Sequence, residues 1–589
     1  MVGIGGRSSA VVRMATNDAS EPDNSDDLTS IPIASNSSND TPNRQAPNEN
    51  TPLLNSNLDT YFSDEMIHIP DNDDGFSFRK LCAFTGPGFL MSIAYLDPGN
   101  VESDLQSGVA ARYKLLWVLM SSTILGLIVQ RLAARLGVVT GLHLAEMCYK
   151  QYKTIPRIIL WIMTEIAIIG SDMQEVIGTA IALFLLSNKM IPLWAGVLIT
   201  IIDTFSFLML DKYGLRKLEL LFGFLITVMA VTFGYEYVVS SPSEIEVIEQ
   251  MFIPWCTNCG SKELIQAVGI VGAVIQPHNL YLYSALVKSR DVNRKDAAKV
   301  RDANMYFFIE ACIALFISLI INVFVVAVFA HGLYEKKNVD IVDMCYNHSS
   351  TLYKEALQVF GNNTNEVQVD LYQSGIFLGC AFGVMAMYIW AVGILAAGQS
   401  STMAGTYAGQ FAMEGFLNLQ WQRWKRVFFT RFIAIVPTFC VAYFSKIQDL
   451  NGMNDILNVV MSLQLPFALI PTIAFTSSAV IMGDFVNGIW NIMVSFIVFI
   501  LVTTINVTLV VDQIIDAELN WGWFTIAIIY STLYILFNIY LLIHMAAHMG
   551  NQWLNSLTFV QKYIMPTENT FVNEIVYNPN SVLDESPDD

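Results

Sequence analysis

The sequence predicts an all-α, polytopic membrane protein, and three observations predict it. The chain is 54% hydrophobic and only 14% charged, with a mean hydropathy of +0.47, whereas soluble proteins are about a quarter charged. Twelve apolar segments follow one another, centred near 81–103, 114–135, 157–186, 190–210, 216–240, 264–288, 302–332, 371–400, 427–446, 453–475, 489–511 and 523–546. Each approaches the ~20 residues that a bilayer-crossing helix needs. Two of them are interrupted by a proline among polar residues, at Asp97-Pro98-Gly99-Asn100 and at Gln276-Pro277-His278-Asn279.

The interruptions organise the rest. Proline removes a backbone donor and clashes with the preceding turn, and in hydrocarbon the freed carbonyls must face protein or a water-filled cavity. Interrupted helices in corresponding places of two halves point to the substrate site of a secondary transporter. Here they fall in segments one and six, which predicts a five-plus-five inverted repeat followed by two added helices. Asp97 and Asn100, with carbonyls freed near Ala94 and Ala273, converge as hard oxygen groups suited to a cation. His278 titrates near neutrality when unperturbed and can carry a proton. In segment three Asp172 and Glu175 lie three residues apart on one helix face. Acids at membrane depth line ion or proton paths by default. Arg290, at the end of segment six, and Arg431, near the start of nine, are the natural counter-charges.

Residues 1–75 are rich in Ser, Asn, Asp and Pro and are predicted to be a disordered tail. No positively charged start precedes an apolar core, so no cleaved signal peptide is expected. Within the tail, Glu49 with Leu53 and Leu54 resembles an acidic dileucine sorting signal. Residues 547–589 form a second tail. The formal net charge of −19, from 51 acidic against 32 basic residues, owes much to these tails.

Orientation follows from Lys and Arg beside the spans. Arg131, Arg135, Lys150, Lys153 and Arg157 flank the 2–3 connection, and Lys288, Arg290, Arg294, Lys295, Lys299 and Arg301 flank the 6–7 connection. Both tails are therefore predicted to be cytoplasmic and residues 333–370 extracellular. That loop carries the glycosylation sequons at Asn347 and Asn362. The Cys256-Thr-Asn-Cys259 spacing reads as a metal site, a redox pair or a loop clip; an extracellular loop favours the disulfide. No basic stripe suggests nucleic-acid binding, and no Gly-x₄-Gly-Lys-Ser/Thr loop suggests ATP chemistry, so no enzyme activity is expected.

Several long motifs resemble the Nramp (natural resistance-associated macrophage protein) family of divalent metal transporters, eukaryotic type. They are Asp97-Pro-Gly-Asn100, the stretch from Gln130 to Glu146, Gly170-Ser-Asp-Met-Gln-Glu175, Pro277-His-Asn-Leu-Tyr281, Ala397 to Met403 and Gln464 to Pro471. The resemblance spans about residues 80–546 and implies a LeuT-type fold and proton-coupled uptake of Mn²⁺ or Fe²⁺ towards the cytoplasm, with Cd²⁺, Co²⁺, Ca²⁺ and Mg²⁺ as further candidates. It implies a metal site of Asp97, Asn100, Ala94, Ala273, residue 276 and Gln464, and a proton route through Asp97, Asp172, Glu175, His278, Arg290 and Arg431. No cofactor is implied: the metal is cargo and H⁺ the coupling ion. The expected setting is the lipid bilayer of the plasma or endosomal-lysosomal membrane, with sorting adaptors reading the tail.

Two residues depart from the family pattern. Gln276 stands where relatives usually have Met, and a soft thioether favours Mn²⁺, Fe²⁺ or Cd²⁺ over Ca²⁺ and Mg²⁺. Tyr283 stands where animal relatives usually have a second His, and tyrosine does not titrate near neutral pH. A carrier with relaxed selectivity and weak proton coupling is thus the second expectation. A transport-inactive metal sensor is the third. A sodium-coupled amino-acid transporter would share the fold, but the acid pair in segment three argues against it.

Overall fold

The computed structural model describes residues 66–70, 76–210, 215–257, 259–348, 352–418, 423–444, 451–497, 499, 500, 503, 504, 521–550 and 552–564, which are almost wholly helical. A short α1 (Phe78–Phe84) leads to α2 (Pro87–Ile93), α3 (Pro98–Ala111), α4 (Leu116–Thr140), α5 (Leu144–Gln151), α6 (Thr154–Leu186), α7 (Leu193–Leu210), α8 (Leu215–Ser240) and α9 (Glu244–Phe252). There follow α10 (Ser261–Val274), α11 (Pro277–Leu286), α12 (Ala297–Leu333), α13 (Asn338–His348), α14 (Tyr353–Val359), α15 (Leu371–Phe382) and α16 (Val384–Leu417). The chain closes with α17 (Arg423–Phe444), α18 (Asn451–Thr476), α19 (Ala479–Met482), α20 (Ile489–Ile497), α21 (Trp521–His548) and α22 (Gln552–Ser556).

Among the described residues, α4, α6, α8, α12, α16, α18 and α21 are each long and apolar enough to cross a membrane alone. Leu220, Phe224, Val231 and Val238 of α8 and Ile526, Ile529, Leu533 and Leu536 of α21 are exposed. Apolar faces of this extent suit contact with lipid. Much of segment eleven lies outside the described residues, as do Glu49, Leu53 and Leu54.

Both prolines act as helix starters. Pro98 and Pro277 occupy the first turn of α3 and α11, where a missing N–H costs nothing. The residue before a proline is pushed out of the helical region, so Asp97 (φ −67°, ψ 163°) and Gln276 (φ −78°, ψ 131°) are extended. In an unbroken helix the N–H of Pro98 would serve the Ala94 carbonyl and that of Pro277 the Ala273 carbonyl. Proline has no such N–H, so those two oxygens are released. Helix α12 compensates the first break: Ser318 Oγ donates to the Ser92 carbonyl at 3.0 Å and Asn322 Nδ2 to the Tyr95 carbonyl at 2.9 Å.

Helix α18 contains Pro466 and Pro471. Pro471 leaves the Phe467 carbonyl without its helical donor, and the Tyr281 hydroxyl of α11 supplies one at 3.2 Å. This bond ties the helix bearing Gln464 to the helix that follows Gln276.

The structure redraws two expectations. Segment eight, expected over 371–400, is two helices: α15 ends at Gly383, whose φ of +96° stops it, and the crossing helix α16 runs on to Leu417. Residues 66–70, expected within the disordered tail, are placed: Ile67 N donates to the Ser289 carbonyl at 3.0 Å, and the Ile67 carbonyl accepts from Asp291 N at 3.1 Å. Ile67 is apolar and packs on the core, which the polar composition around it hides. Disulfides join Cys256 to Cys259 and Cys345 to Cys380. The second pair escaped the sequence reading because Cys380 sits in an apolar run.

An ion pair fixes the end of α11 to α5. Lys288 Nζ lies 2.7 Å from Glu146 Oε2, with the two side chains 11% and 8% exposed. Burial pushes the Glu146 carboxyl up, but the charges of His143 and Lys288 and hydrogen bonds from Lys288 and the His143 N–H outweigh it, leaving it below the usual value. A depressed carboxylate contributes stability that is present above its ordinary range and lost as pH falls through its lowered value. Lys288→Met strands this carboxylate, and a stability loss of about 3 kcal/mol is expected, the low end for breaking a buried pair on one side. Thermal unfolding in detergent checks this, and adding Glu146→Gln should restore most of the loss.

Candidate functional site

The two breaks meet. Asp97 Oδ1 caps α3, accepting from Asn100 N at 2.7 Å and from Asn100 Nδ2 at 2.9 Å. Asn100 Nδ2 also donates to the released Ala94 carbonyl at 3.2 Å. Asp97 Oδ2 accepts from Gln276 Nε2 at 2.5 Å, across 179 residues of chain. Gln276 Oε1 in turn accepts from Asn279 Nδ2 at 3.1 Å. Asp97, Asn100, Gln276, His278, Asn279 and Gln464 are all buried.

Three buried polar atoms of this set have no hydrogen-bond partner among the described residues: His278 Nδ1, Asn279 Oδ1 and Gln464 Oε1. Buried polar groups are rarely left so, and two of these atoms are oxygens of the type that binds divalent cations. No group of three or more His, Cys, Asp or Glu side chains gathers among the described residues. The arrangement therefore offers a cation one carboxylate with neutral amides and carbonyls, a set that neutralises a dication only in part. Asn279 reads in the sequence as part of the second interruption but not as a ligand; its place two residues after Pro277, in the same polar run, is the available signal.

Helix α6 brings the second cluster. Asp172 and Glu175 are buried, and Glu175 Oε1 accepts from Ser401 Oγ of α16 at 2.7 Å. Gly405 of α16 makes room for the pair, since a Cβ there would lie 2.8 Å from Asp172 Oδ1. One turn further along α6, a Cβ on Gly178 would meet Pro98 at 2.5 Å. Helix α6 thus lies against the first turn of α3, beside Asp97. Gln174 Nε2 donates to Asn458 Oδ1 of α18 at 2.8 Å.

Arg290 is fully buried and straps the end of α1, just before α2. Its Nε donates to the Ala83 carbonyl at 3.0 Å, and Nη2 to the Thr85 carbonyl at 2.7 Å and to Glu219 Oε1 of α8 at 2.8 Å. Glu310 of α12 accepts from the N–H groups of Gly86 and Gly88 at 2.5 and 3.0 Å, occupying the positive end of α2. Gly86 has φ +147°, and a Cβ there would collide with Glu219 and Arg290. Arg431 lies in α17, and its side chain is outside the described residues. Asn347 and Asn362 are exposed in the 333–370 connection.

The Nramp family, described as natural resistance-associated macrophage protein-like, matches residues 88–512. Protein Malvolio of Drosophila melanogaster is 66% identical over 534 residues, covering 90% of this chain and 89% of its own. Natural resistance-associated macrophage protein 2 of Mus musculus is 61% identical over 484 residues, covering 82% and 84%. A mutant of the Eremococcus coleocola manganese transporter, solved by crystallography, superposes with a TM-score of 0.70 at 29% identity, over 83% of this chain and 98% of that one.

Proposed function

The chain belongs to the Nramp family, and on that premise we propose that it is a secondary transporter of divalent metal ions, carrying Mn²⁺ or Fe²⁺ towards the cytoplasm together with protons. The observation that carries the reading is the Asp97–Gln276 bond between the two broken helices. Asp97 supplies the charge. The carbonyls of Ala94 and Ala273 and the amides of Asn100, Gln276 and Gln464 supply neutral oxygen.

An arriving cation displaces the Gln276 Nε2 donor from Asp97, and rotation of that amide turns Oε1 to the metal. Protons move along His278, Asp172 and Glu175, with Ser401 holding Glu175 in place. Release needs α2 to part from Glu310, whose bonds fix its first turn, and the Ala83–Thr85 segment before it to part from Arg290. Arg431 continues the proton route.

The cation-rich connections set both termini in the cytoplasm. Both disulfides and both sequons then fall on the opposite, oxidising side, with Asn347 and Asn362 as glycosylation sites. Localisation to the plasma or endosomal-lysosomal membrane, with Glu49, Leu53 and Leu54 read by sorting adaptors, completes the proposal. The amide of Gln276 favours a second reading within transport, a carrier that also accepts Ca²⁺ or Mg²⁺ with weak proton coupling.

Purified protein in liposomes under an imposed pH gradient tests the proposal. Mn²⁺ uptake is expected to rise several-fold when the outside is acidic. Uptake indifferent to the gradient would remove proton coupling, and no uptake of any divalent metal would leave only a sensor.

A further inference from the structure

A cavity of about 360 Å³ is lined by none of the residues of the proposed metal site. Its walls are α4, the early turns of α12, the segment after α19 and the buried Tyr283 of α11. Three guanidiniums line it, those of Arg131, Arg135 and Arg301, against a single carboxylate, that of Asp484. None of the three forms an ion pair among the described residues.

Each arginine is held in a different way. Arg131 stacks on the Phe308 ring with 4.6 Å from Cζ to the centroid. Arg135 donates to Asn487 Oδ1 at 3.2 Å and to the Phe485 carbonyl. Arg301 is exposed at the first turns of α12. A cavity with three cations and one anion has unmet demand for negative charge. Guanidiniums present paired donors that match phosphate oxygens, and basic pockets between membrane helices bind anionic headgroups.

We propose that this cavity is a binding site for a phosphate-bearing anion, a polyphosphorylated headgroup, at the end of the spans that the cation distribution sets at the cytoplasmic surface. That placement rests on the orientation given above. The anion bridges α4, α12 and the segment after α19. Tyr283, whose hydroxyl donates to the Phe307 carbonyl at 3.3 Å, is the wall that joins it to α11. That helix begins directly after Gln276, so occupancy braces the segment carrying the metal ligand. The residue that departs from the usual family histidine thus serves as neutral lining here.

The test uses full-length protein in phosphatidylcholine nanodiscs. Binding of phosphatidylinositol 4,5-bisphosphate in the disc and of soluble inositol hexakisphosphate is measured for wild type, R131Q/R301Q and R131K/R301K. Arg135 is left intact because it holds the loop at 485–487. Each arginine near the surface contributes about 1 kcal/mol, so the glutamine pair is expected to bind ~30-fold more weakly at 1.4 kcal/mol per tenfold, and the lysine pair to lose less. Binding of the lipid alone assigns a membrane headgroup, and binding of both assigns phosphate from either source. Equal binding by wild type and R131Q/R301Q, equal loss in both pairs, or no binding of either probe overturns the proposal. Mn²⁺ uptake in plain phosphatidylcholine is read in parallel and should match wild type in R131Q/R301Q. A wild-type protein that binds the probe but carries no metal would sink the transport reading and leave this one standing.

Discussion

Asp97→Asn is expected to reduce divalent metal uptake at least ~100-fold, since even outer-shell partners of a metal ligand are worth 10–100-fold. The substitution isolates charge from architecture. Asp97 caps α3 through Oδ1, which accepts from Asn100 N at 2.7 Å. Asparagine caps helices about as well as aspartate, and its volume is nearly the same. Thermal unfolding of Asp97→Asn should therefore resemble wild type, whereas Asp97→Ala should lose about 1 kcal/mol from the missing cap. What asparagine removes is the one formal negative charge in the proposed ligand set. At membrane depth, where little solvent screens it, a dication would face dipoles alone. Uptake by Asp97→Asn within tenfold of wild type would show that the cation passes elsewhere.

The site was legible where its chemistry is local. Pro98 and Pro277 announce the breaks, and counting four residues back identifies Ala94 and Ala273 as the carbonyls they release. The acid pair Asp172 and Glu175 stands out because the two carboxylates lie three residues apart on one face of an otherwise apolar stretch. Long-range satisfaction of polar groups was not legible. Glu310, Ser318 and Asn322 read as isolated polar residues in an apolar run, yet each serves α2 or the first break more than 220 residues away. The partition at Gly383 carries no proline to mark it, and a single glycine inside a span is common enough to pass. The Gln276 amide on Asp97 depends on how the two halves are assembled, which no window of sequence contains.

Gln276→Met is expected to shift selectivity by about tenfold in each of two opposite directions: tighter Cd²⁺, weaker competition by Ca²⁺. The wild-type geometry sharpens this expectation. Gln276 is both donor and acceptor, giving Nε2 to Asp97 and Oε1 to Asn279 Nδ2 at 3.1 Å. A thioether donates nothing, so Asp97 in the variant loses its partner from the second half and Asn279 loses its acceptor. The empty site becomes less well satisfied, and buried groups left unmade cost about 1–3 kcal/mol each. A metal then relieves more of that penalty in the variant, which raises affinity for every cation whose ligands can be met. Sulfur adds a term that differs by cation: favourable for polarizable Cd²⁺, unfavourable for Ca²⁺, which takes six to eight oxygens.

The two effects separate experimentally. Relief of the penalty alone would strengthen Mn²⁺, Cd²⁺ and Ca²⁺ together, whereas ligand softness moves Cd²⁺ and Ca²⁺ apart. Gln276→Leu, about as large and unable either to donate or to ligate, isolates the first effect. Competition of each ion against Mn²⁺ uptake, measured for wild type, Gln276→Met and Gln276→Leu in the same liposomes, resolves them. If Gln276→Met leaves the Cd²⁺ to Ca²⁺ ratio at the wild-type value, Gln276 does not touch the ion, and the bond between the two broken helices belongs to the framework rather than to the site.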